Sequence, residues 1–390
     1  MTNTNHYDYI IAGAGASGLS LAWHISNSPL SKKRILVVDS DFSISNEKTW
    51  CFWHRDTPEF SDLIFKSWST AEVGIKDEVL SQPLEQYPYY CIRSGDYREF
   101  ILSKLRAHPS FDLIESDIAD IKGDKNRPLL ETEDSTFSAD YIFQSCFIPP
   151  EFRSTNIKYP LIQSFLGYEI ETPDTVFNSD SFMLMDFDNT YETGLAFMYV
   201  LPWTDKSALV EYTLFDSRIR KKDFFEKKVE VYLSNKYGLK RIDYRVVRKE
   251  YGEIPMQDLP YVPWYSERVL NLGRSGGLTK PTTGYTFTNI HEHSKEIVAE
   301  LLNSGQPALP GRSSFRYRAY DLWLLHILHE NPYDALRIFE ILFSKNKIDQ
   351  IFKFLDEENA LFEDFKIMGS LPYTPFFKAI WKSGDRLFQI

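Results

Sequence analysis

The sequence predicts an α/β chain carrying an α+β insert, and three observations predict it. Glycine-rich turns stand at Gly13-Ala14-Gly15-Ala16-Ser17-Gly18 and at Gly273-Arg274-Ser275-Gly276-Gly277, 260 positions apart by their first glycines (273 − 13). Between them, residues 161–215 read as long alternating strands with few helical signals, the pattern of an antiparallel sheet facing a pocket. From residue 313 onward the pattern is helical, with breaks at Pro332 and Pro372. One dinucleotide gripped by both turns would tie an early strand to a late one and make the intervening chain an insertion. That layout suits a flavin better than a dissociable nicotinamide.

The first element is a βαβ unit. Residues 9–12 form an apolar strand, the glycines turn the chain, and residues 20–26 continue a helix with Leu21, Ala22 and Ile25 on one side. Residues 34–39 form the second strand, which ends in Asp39 about 20 residues past the last glycine, as a Rossmann-type fingerprint requires. Gly13, Gly15, Ala16 and Gly18 let backbone amides approach a pyrophosphate at the positive end of the helix, and Asp39 accepts from a ribose hydroxyl. Residues 97–105 read as a helix, 111–121 and 141–145 as strands, and 124–128 as a turn. Residues 222–237 read as a helix, 245–254 as a strand, 269–273 as the strand into the second turn, and 286–303 as a helix ending before Gly305. The expected domains are residues 1–75, 92–150 and 268–305 for the nucleotide, 76–91 and 151–267 for the antiparallel sheet, and 306–390 for the helical region.

At 390 residues the chain can enclose a large cofactor. A formal charge of −11 argues against nucleic acid, because the basic run at residues 218–222 is short and offset by acids. Cys51, Cys91 and Cys146 show no metal-ligand spacing, and they read as small core thiols of a reducing compartment. His291-Glu292-His293 has the wrong helical spacing for joint ligation, so no metal is expected. No basic and apolar leader is visible and no run approaches the roughly 20 apolar residues of a membrane span.

Six strings then occur in order: Lys48-Thr49-Trp50-Cys51-Phe52-Trp53, Met185-Asp186-Phe187, Tyr199-Val200-Leu201-Pro202, Val210-Glu211-Tyr212-Thr213, Tyr251-Gly252-Glu253-Ile254-Pro255-Met256, and the run from Gly276 to Tyr285. In these the chain resembles the flavin-dependent lycopene cyclases, the bacterial lycopene β-cyclases in particular. The resemblance implies a Rossmann-type FAD-binding domain of the glutathione-reductase/hydroxylase kind, an antiparallel β-sheet substrate domain and a C-terminal helical region. It also implies redox-neutral, acid–base closure of the linear ends of lycopene to β-rings, giving γ-carotene and then β-carotene. The cofactor implied is FAD, active when reduced, with NAD(P)H as a reductant that is not consumed stoichiometrically. The partners implied are lycopene and related linear carotenoids and, because these are insoluble in water, the inner face of a membrane touched peripherally by a cytoplasmic protein.

Site residues follow from the same strings. In residues 208–215, Leu209, Glu211, Thr213 and Phe215 share one strand face. A carboxyl desolvated there would stay protonated near neutrality and act as a general acid; the other reading is an exposed or ion-paired acid. Plant relatives carry two adjacent carboxylates at this motif, whereas the second position here is Tyr212, so no paired-carboxylate mechanism carries over. Asp186 either orients a partner or is hydrogen-bonded structurally, with Asp188 on its side of the strand. Glu253 is a candidate near the flavin or a strand-end charge. Gly273 of the late turn is a cofactor-binding candidate, and Gly276, Gly277, Lys280, Thr283 and Gly284 are placed toward the flavin's pyrimidine edge, with Lys280 a further cation or a solvated loop lysine. Arg93 or Arg98 contacts phosphate or lies on the surface. Trp50, Phe52, Trp53 and Trp203 are candidates to line an aromatic pocket for a cationic intermediate, against ordinary core roles. Residues 312–328, with Arg312, Arg316 and Arg318 ahead of an aromatic and leucine-rich helix, are the candidate membrane surface, against a buried packing helix. The same layout also admits a flavin monooxygenase or isoprenoid reductase, or a non-catalytic polyene or prenyl carrier.

Overall fold

The computed structural model describes residues 5–147, 157–187, 194–258, 261–311 and 313–387, and its contacts divide the chain into two units. The first joins Met1–Trp50, Arg93–Asn156 and Pro260–Arg312; the second joins Cys51–Ile92, Ile157–Leu259 and Ser313–Ile390.

The first unit is built on an eight-stranded sheet. Its main order is β17 (Trp264–Ser266), β18 (Val269–Asn271), β11 (Thr136–Gln144), β1 (Asn5–Ala12), β2 (Ile35–Asp39) and β8 (Phe111–Glu115), with the pair β9 (Ile118–Lys122) and β10 (Leu129–Thr132) attached to β11. The central ladders β1/β11, β1/β2, β2/β8 and β11/β18 are all parallel. Parallel strands covered on both faces need continuous apolar runs, and Ile10, Ile11, Ala12 and Ile35 to Val38 are fully buried. The helices of this unit are α1 (Ala16–Ser26), α2 (Ser94–Arg106) and α4 (Phe287–Ser304). The single strand expected at residues 111–121 is two strands, β8 and β9, which pair with different neighbours. The expected turn at 124–128 is closed by Asp124, whose carboxylate accepts from the amides of Asn126 and Arg127.

The second unit carries a seven-stranded sheet, order β16 (Arg245–Met256), β12 (Leu161–Glu171), β15 (Ser207–Asp216), β14 (Leu195–Thr204), β13 (Phe182–Asp186), β5 (Thr70–Ile75) and β6 (Glu78–Pro83). Every ladder is antiparallel except β13/β5. One face packs on α3 (Lys222–Tyr237): Leu166, Met198, Val210, Tyr212 and Leu214 meet Phe225, Val229 and Tyr232 in a buried cluster. A three-stranded sheet orders β3 (Thr49–Trp53), β7 (Tyr89–Arg93) and β4 (Ile64–Trp68). The helices α5 (Phe315–Glu330), α6 (Pro332–Lys345), α7 (Ile348–Leu355), α8 (Leu361–Ser370) and α9 (Tyr373–Lys382) complete the unit. Asn331 stops α5 and caps α6, accepting from the amides of Tyr333 and Asp334, while Pro332 takes the first helical position where its missing N–H costs nothing.

Three expectations change. Residues 51–75 belong to the second unit, because β5 pairs with β13 and β6; β17 belongs to the first, because it pairs with β18. The helical region clusters with the seven-stranded sheet and forms no third unit. Only Cys91 is a core thiol, since Cys51 is half-buried and Cys146 exposed. Among the described residues, no helix is long and apolar enough to cross a membrane.

Candidate functional site

In the first unit the chain leaves β1 through Gly13, whose φ of +99° is open to glycine alone at low cost and whose amide donates to the Val38 carbonyl at 2.8 Å. Gly15 is the N-cap of α1, with Ala16 its first residue, and a Cβ built on Gly15 would meet nothing within 4 Å. The space over the helix start is therefore open, flanked by unpaired N–H groups, and suited to a diphosphate. Gly18, one turn on, lies so close to the Gly13 carbonyl that no side chain fits. Asp39 ends β2 and accepts from the Ala14 and Asp41 amides, which leaves carboxylate lone pairs for a ribose hydroxyl. Arg98 donates to the carbonyls of Ala14 and Asp41, so it braces the turn. Arg93 precedes α2 as its N-cap.

The late turn reaches the same place. β18 runs parallel to β11 with Asn271 opposite Gln144, and the Leu272 amide donates to the Gln144 carbonyl at 2.7 Å. Gly273, at φ +56°, then passes so close to Ser17 on α1 that a Cβ would overlap the serine side chain. The two glycine turns thus touch despite their separation in sequence. Gly276 donates to the carbonyls of Leu272 and Gly273, and Gly277 packs against Tyr261. Lys280 closes the following turn through its backbone, donating to Tyr285 and accepting from Thr283 and Gly284, just before α4. α4 is pinned to α1 by Ser20, which hydrogen-bonds His291 at 2.8 Å and Ser294 at 2.9 Å. Burial pushes the His291 imidazole down to about 3 and that of His293 to about 4, so both are neutral packing groups. The described residues contain no group of three or more His, Cys, Asp or Glu arranged for a metal. Trp50 stacks on Phe287 and meets Tyr97 edge-on in this unit.

In the second unit the sheet sorts the candidate acids by face. Glu211 on β15 is buried, directly opposite Gly167 on β12 and Tyr199 on β14. Its Oε1 accepts from the Thr213 hydroxyl at 3.0 Å, as their shared strand face requires. Gly167 makes room for it: a Cβ there would lie 3.1 Å from the Glu211 Cβ and 2.9 Å from Leu209. Asp186 and Glu253 project to the other face, toward α3. Asp186 is opposite Met198 of the α3 cluster and fully buried, accepting from the Tyr232 hydroxyl at 2.8 Å and pairing with Lys236 at 3.0 Å. Burial, with Tyr237 and Asp186 alongside, pushes the Tyr232 hydroxyl up and keeps it a donor. Glu253 accepts from Tyr251, whose ring joins the α3 cluster and whose hydroxyl is pushed up to about 12 by burial and by Glu253 itself. The three candidate acids therefore form no single cluster. Asp188 and Arg312 lie outside the described residues.

Two features on the Glu211 face were not read from the sequence. Arg248 bridges Glu169 and the buried Glu250, each at 2.9 Å, and Glu250 stands across Gly167 from Glu211. Tyr199 shares a 2.8 Å hydroxyl contact with the buried Tyr89. Alternation within single strands signals which residues share a face, but cross-strand register has no local signal. Tyr89 belongs to an aromatic file, stacking on Phe182 at 4.4 Å, which continues through Trp68 to Trp203. Trp53 stacks on Phe352 at 4.2 Å and donates to Asp356, while Phe52 leans on Tyr90. Phe52, Trp53 and Trp203 are buried packing groups in the second unit, and Trp50 belongs to the first.

A Rossmann-type sheet with a second glycine turn, an antiparallel sheet insert and C-terminal helices defines the class: the chain has the fold of the FAD-dependent flavoproteins. Solved structures with this fold include a geranylgeranyl bacteriochlorophyll reductase-like protein of Thermoplasma acidophilum, 13% identical, with a TM-score of 0.60 over 98% of this chain and 100% of that one. Others are a flavoprotein/dehydrogenase of Cytophaga hutchinsonii, 11% identical, TM-score 0.63 over 97% and 100%, and a mutant of halogenase PltM in complex with FAD, 12% identical, TM-score 0.61 over 96% and 86%. The family model for lycopene cyclase proteins matches residues 8–380. The chain belongs to the lycopene cyclase family. A chloroplastic lycopene beta cyclase of an Oncidium hybrid cultivar is 23% identical over 306 residues, 71% of this chain; the match spans 60% of that relative's length.

Proposed function

We propose that the protein is a lycopene β-cyclase, an isomerase that closes each linear end of lycopene by acid–base chemistry with Glu211 as the proton donor. The observation that carries the assignment is Glu211 itself: a carboxyl buried on the sheet face away from α3, in contact with a neutral hydroxyl and given room by Gly167. Desolvation disfavours the charged form of such a group, which suits it to give up a proton to an alkene. The proton adds to the terminal double bond, the tertiary cation is attacked by the nearby internal alkene, and a second proton leaves, so atoms and electrons balance with no net oxidation. Tyr199, cross-strand from Glu211, and the buried Tyr89 on its hydroxyl would help exclude the water that traps a cation.

FAD is the cofactor in this reading; the open space at Gly15, the acceptor Asp39 and the adjoining turn at Gly273 fit its diphosphate and ribose. Bound in its two-electron reduced form, the flavin supplies an electron-rich anionic ring that favours cationic intermediates. NAD(P)H serves as reductant without stoichiometric consumption, and the protein works in the cytoplasm, peripherally on the inner face of the membrane that holds its carotenoid substrate.

The test is Glu211→Gln, assayed anaerobically with reduced FAD and lycopene. Flavin content stays at the wild-type level while conversion falls by about 10²- to 10⁴-fold, the usual contribution of a general acid. Near-normal turnover removes Glu211 from the chemistry. Stoichiometric oxidation of NAD(P)H by the wild type would replace the cyclase with a monooxygenase or reductase.

A further inference from the structure

The sequence leaves residues 312–328 between a membrane surface and a buried packing helix, and α5 packs Tyr317, Leu322, Leu325, Ile327 and Leu328 into the core. Its Arg316 is turned inward on the fully buried Asp364 at 3.1 Å. The apolar surface that does face solvent is further on. On α9, Tyr373, Phe377, Ile380 and Trp381 are exposed at spacings of four, seven and eight residues from the first, one face of a helix, with Trp381 86% exposed. Pro375 and Ala379 are the buried side of the same helix. On α8, Leu361, Phe362 and Phe365 are exposed while Asp364 and Ile367 are buried. Apolar exposure concentrated this way marks a surface that is covered in use.

Charge identifies what covers it. The acids of these two helices and the turn after them are engaged: Glu363 by Lys353 at 2.7 Å, Asp364 by Arg316, and Asp385 by Lys158 at 2.6 Å. Lys366, Lys378 and Lys382 have no ion-pair partner among the described residues. On α9, therefore, a chain of formal charge −11 shows exposed rings beside two lysines, Lys378 and Lys382. Two such faces repel each other, which disfavours a second copy as the occupant. Indole and phenol rings flanked by lysines match the boundary between lipid headgroups and acyl chains, where the rings sit at headgroup depth and the ammonium groups meet phosphates.

We infer that the exposed face of α9 docks the protein on an anionic lipid bilayer. The inference deepens the proposed function, in which the polyene resides in such a bilayer, but its evidence is independent of the reaction. The experiment is flotation of the full chain with vesicles of equal parts phosphatidylglycerol and phosphatidylcholine, or of phosphatidylcholine alone. The wild type binds the anionic vesicles, less so in high salt, and more weakly the neutral ones. Phe377→Glu with Trp381→Glu lowers vesicle affinity at least tenfold and leaves the melting temperature unchanged, because both rings stand in solvent; Lys378→Glu with Lys382→Glu lowers binding to anionic vesicles only. Equal binding by the folded Phe377/Trp381 variant, or no binding by the wild type, overturns the inference. So does a stable wild-type dimer that this variant abolishes. Turnover of detergent-dispersed lycopene by the wild type separates the readings: vesicle binding without any turnover leaves the surface standing and sinks the cyclase.

Discussion

Asp186→Asn distinguishes an acid that builds the fold from one that takes part in chemistry. The wild-type carboxylate is fully buried and holds Tyr232 at 2.8 Å and Lys236 at 3.0 Å, joining β13 to α3. Asparagine keeps an acceptor for Tyr232 but turns a charge-assisted hydrogen bond into a neutral one, a loss of about 1–1.5 kcal/mol. It also leaves the Lys236 ammonium without its counter-charge. Because the lysine side chain is 30% exposed, water takes up part of that loss, and the cost stays below the roughly 3–5 kcal/mol of breaking a fully buried pair. The sum is about 2–3 kcal/mol. For a unit of roughly 150–250 residues that lowers the melting temperature by about 4–12 °C. Calorimetry measures the shift, and turnover assayed well below the transition stays within about threefold of wild type. A variant that melts normally yet loses more than about a hundredfold in turnover would refute the reasoning, since Asp186 would then act on the reacting atoms.

Two further outcomes test the nucleotide cradle. Gly15→Val adds branches into space where a Cβ meets no protein atom, so the fold is retained while flavin content after purification falls at least about tenfold; a yellow, flavin-replete variant excludes that space as the diphosphate site. The second concerns pH. Folding depresses the His291 imidazole from the usual 6.5 to about 3, so between those values the unfolded chain binds the extra proton and stability falls as pH drops, by up to about 1.4 kcal/mol per pH unit, while above 6.5 the full contribution is present. His291→Asn flattens the urea midpoint against pH between 6 and 4 relative to wild type; an unchanged slope shows that His291 is not the source.

The βαβ unit was legible because its signals are local: apolar runs, glycines at fixed offsets and an acid in register. The late turn was legible as a turn, and its approach to the first followed only from supposing a shared ligand; the contact of Gly273 with Ser17 supplies the geometry. The shared face of Glu211 and Thr213 was readable from strand alternation. What alternation does not carry is which face a helix covers. The relation of Glu253 to Glu211 depended on the register of β16 and β15 on either side of β12. Likewise the partner of Asp186, Lys236, lies on a helix with no strand register to locate it. The exposed face of α9 went unread because a surface aromatic and a core aromatic look alike in a short helix.

The seating of Gly273 beside Ser17 also has a consequence for biogenesis. β1 and α1 are synthesised early, but the strand and turn that complete the cradle are made only from residue 269 onward. About 240 residues separate the end of α1 at Ser26 from the start of β18 at Val269 (269 − 26 = 243), and all are translated before this segment has a finished binding cleft. Long-range closure of this kind slows folding, so the nascent βαβ segment waits, exposed, for a later piece of the same chain. A product truncated shortly before residue 269 would lack β18 and the late turn however well its first fifty residues fold. Cofactor capture thus reports that synthesis has passed this point.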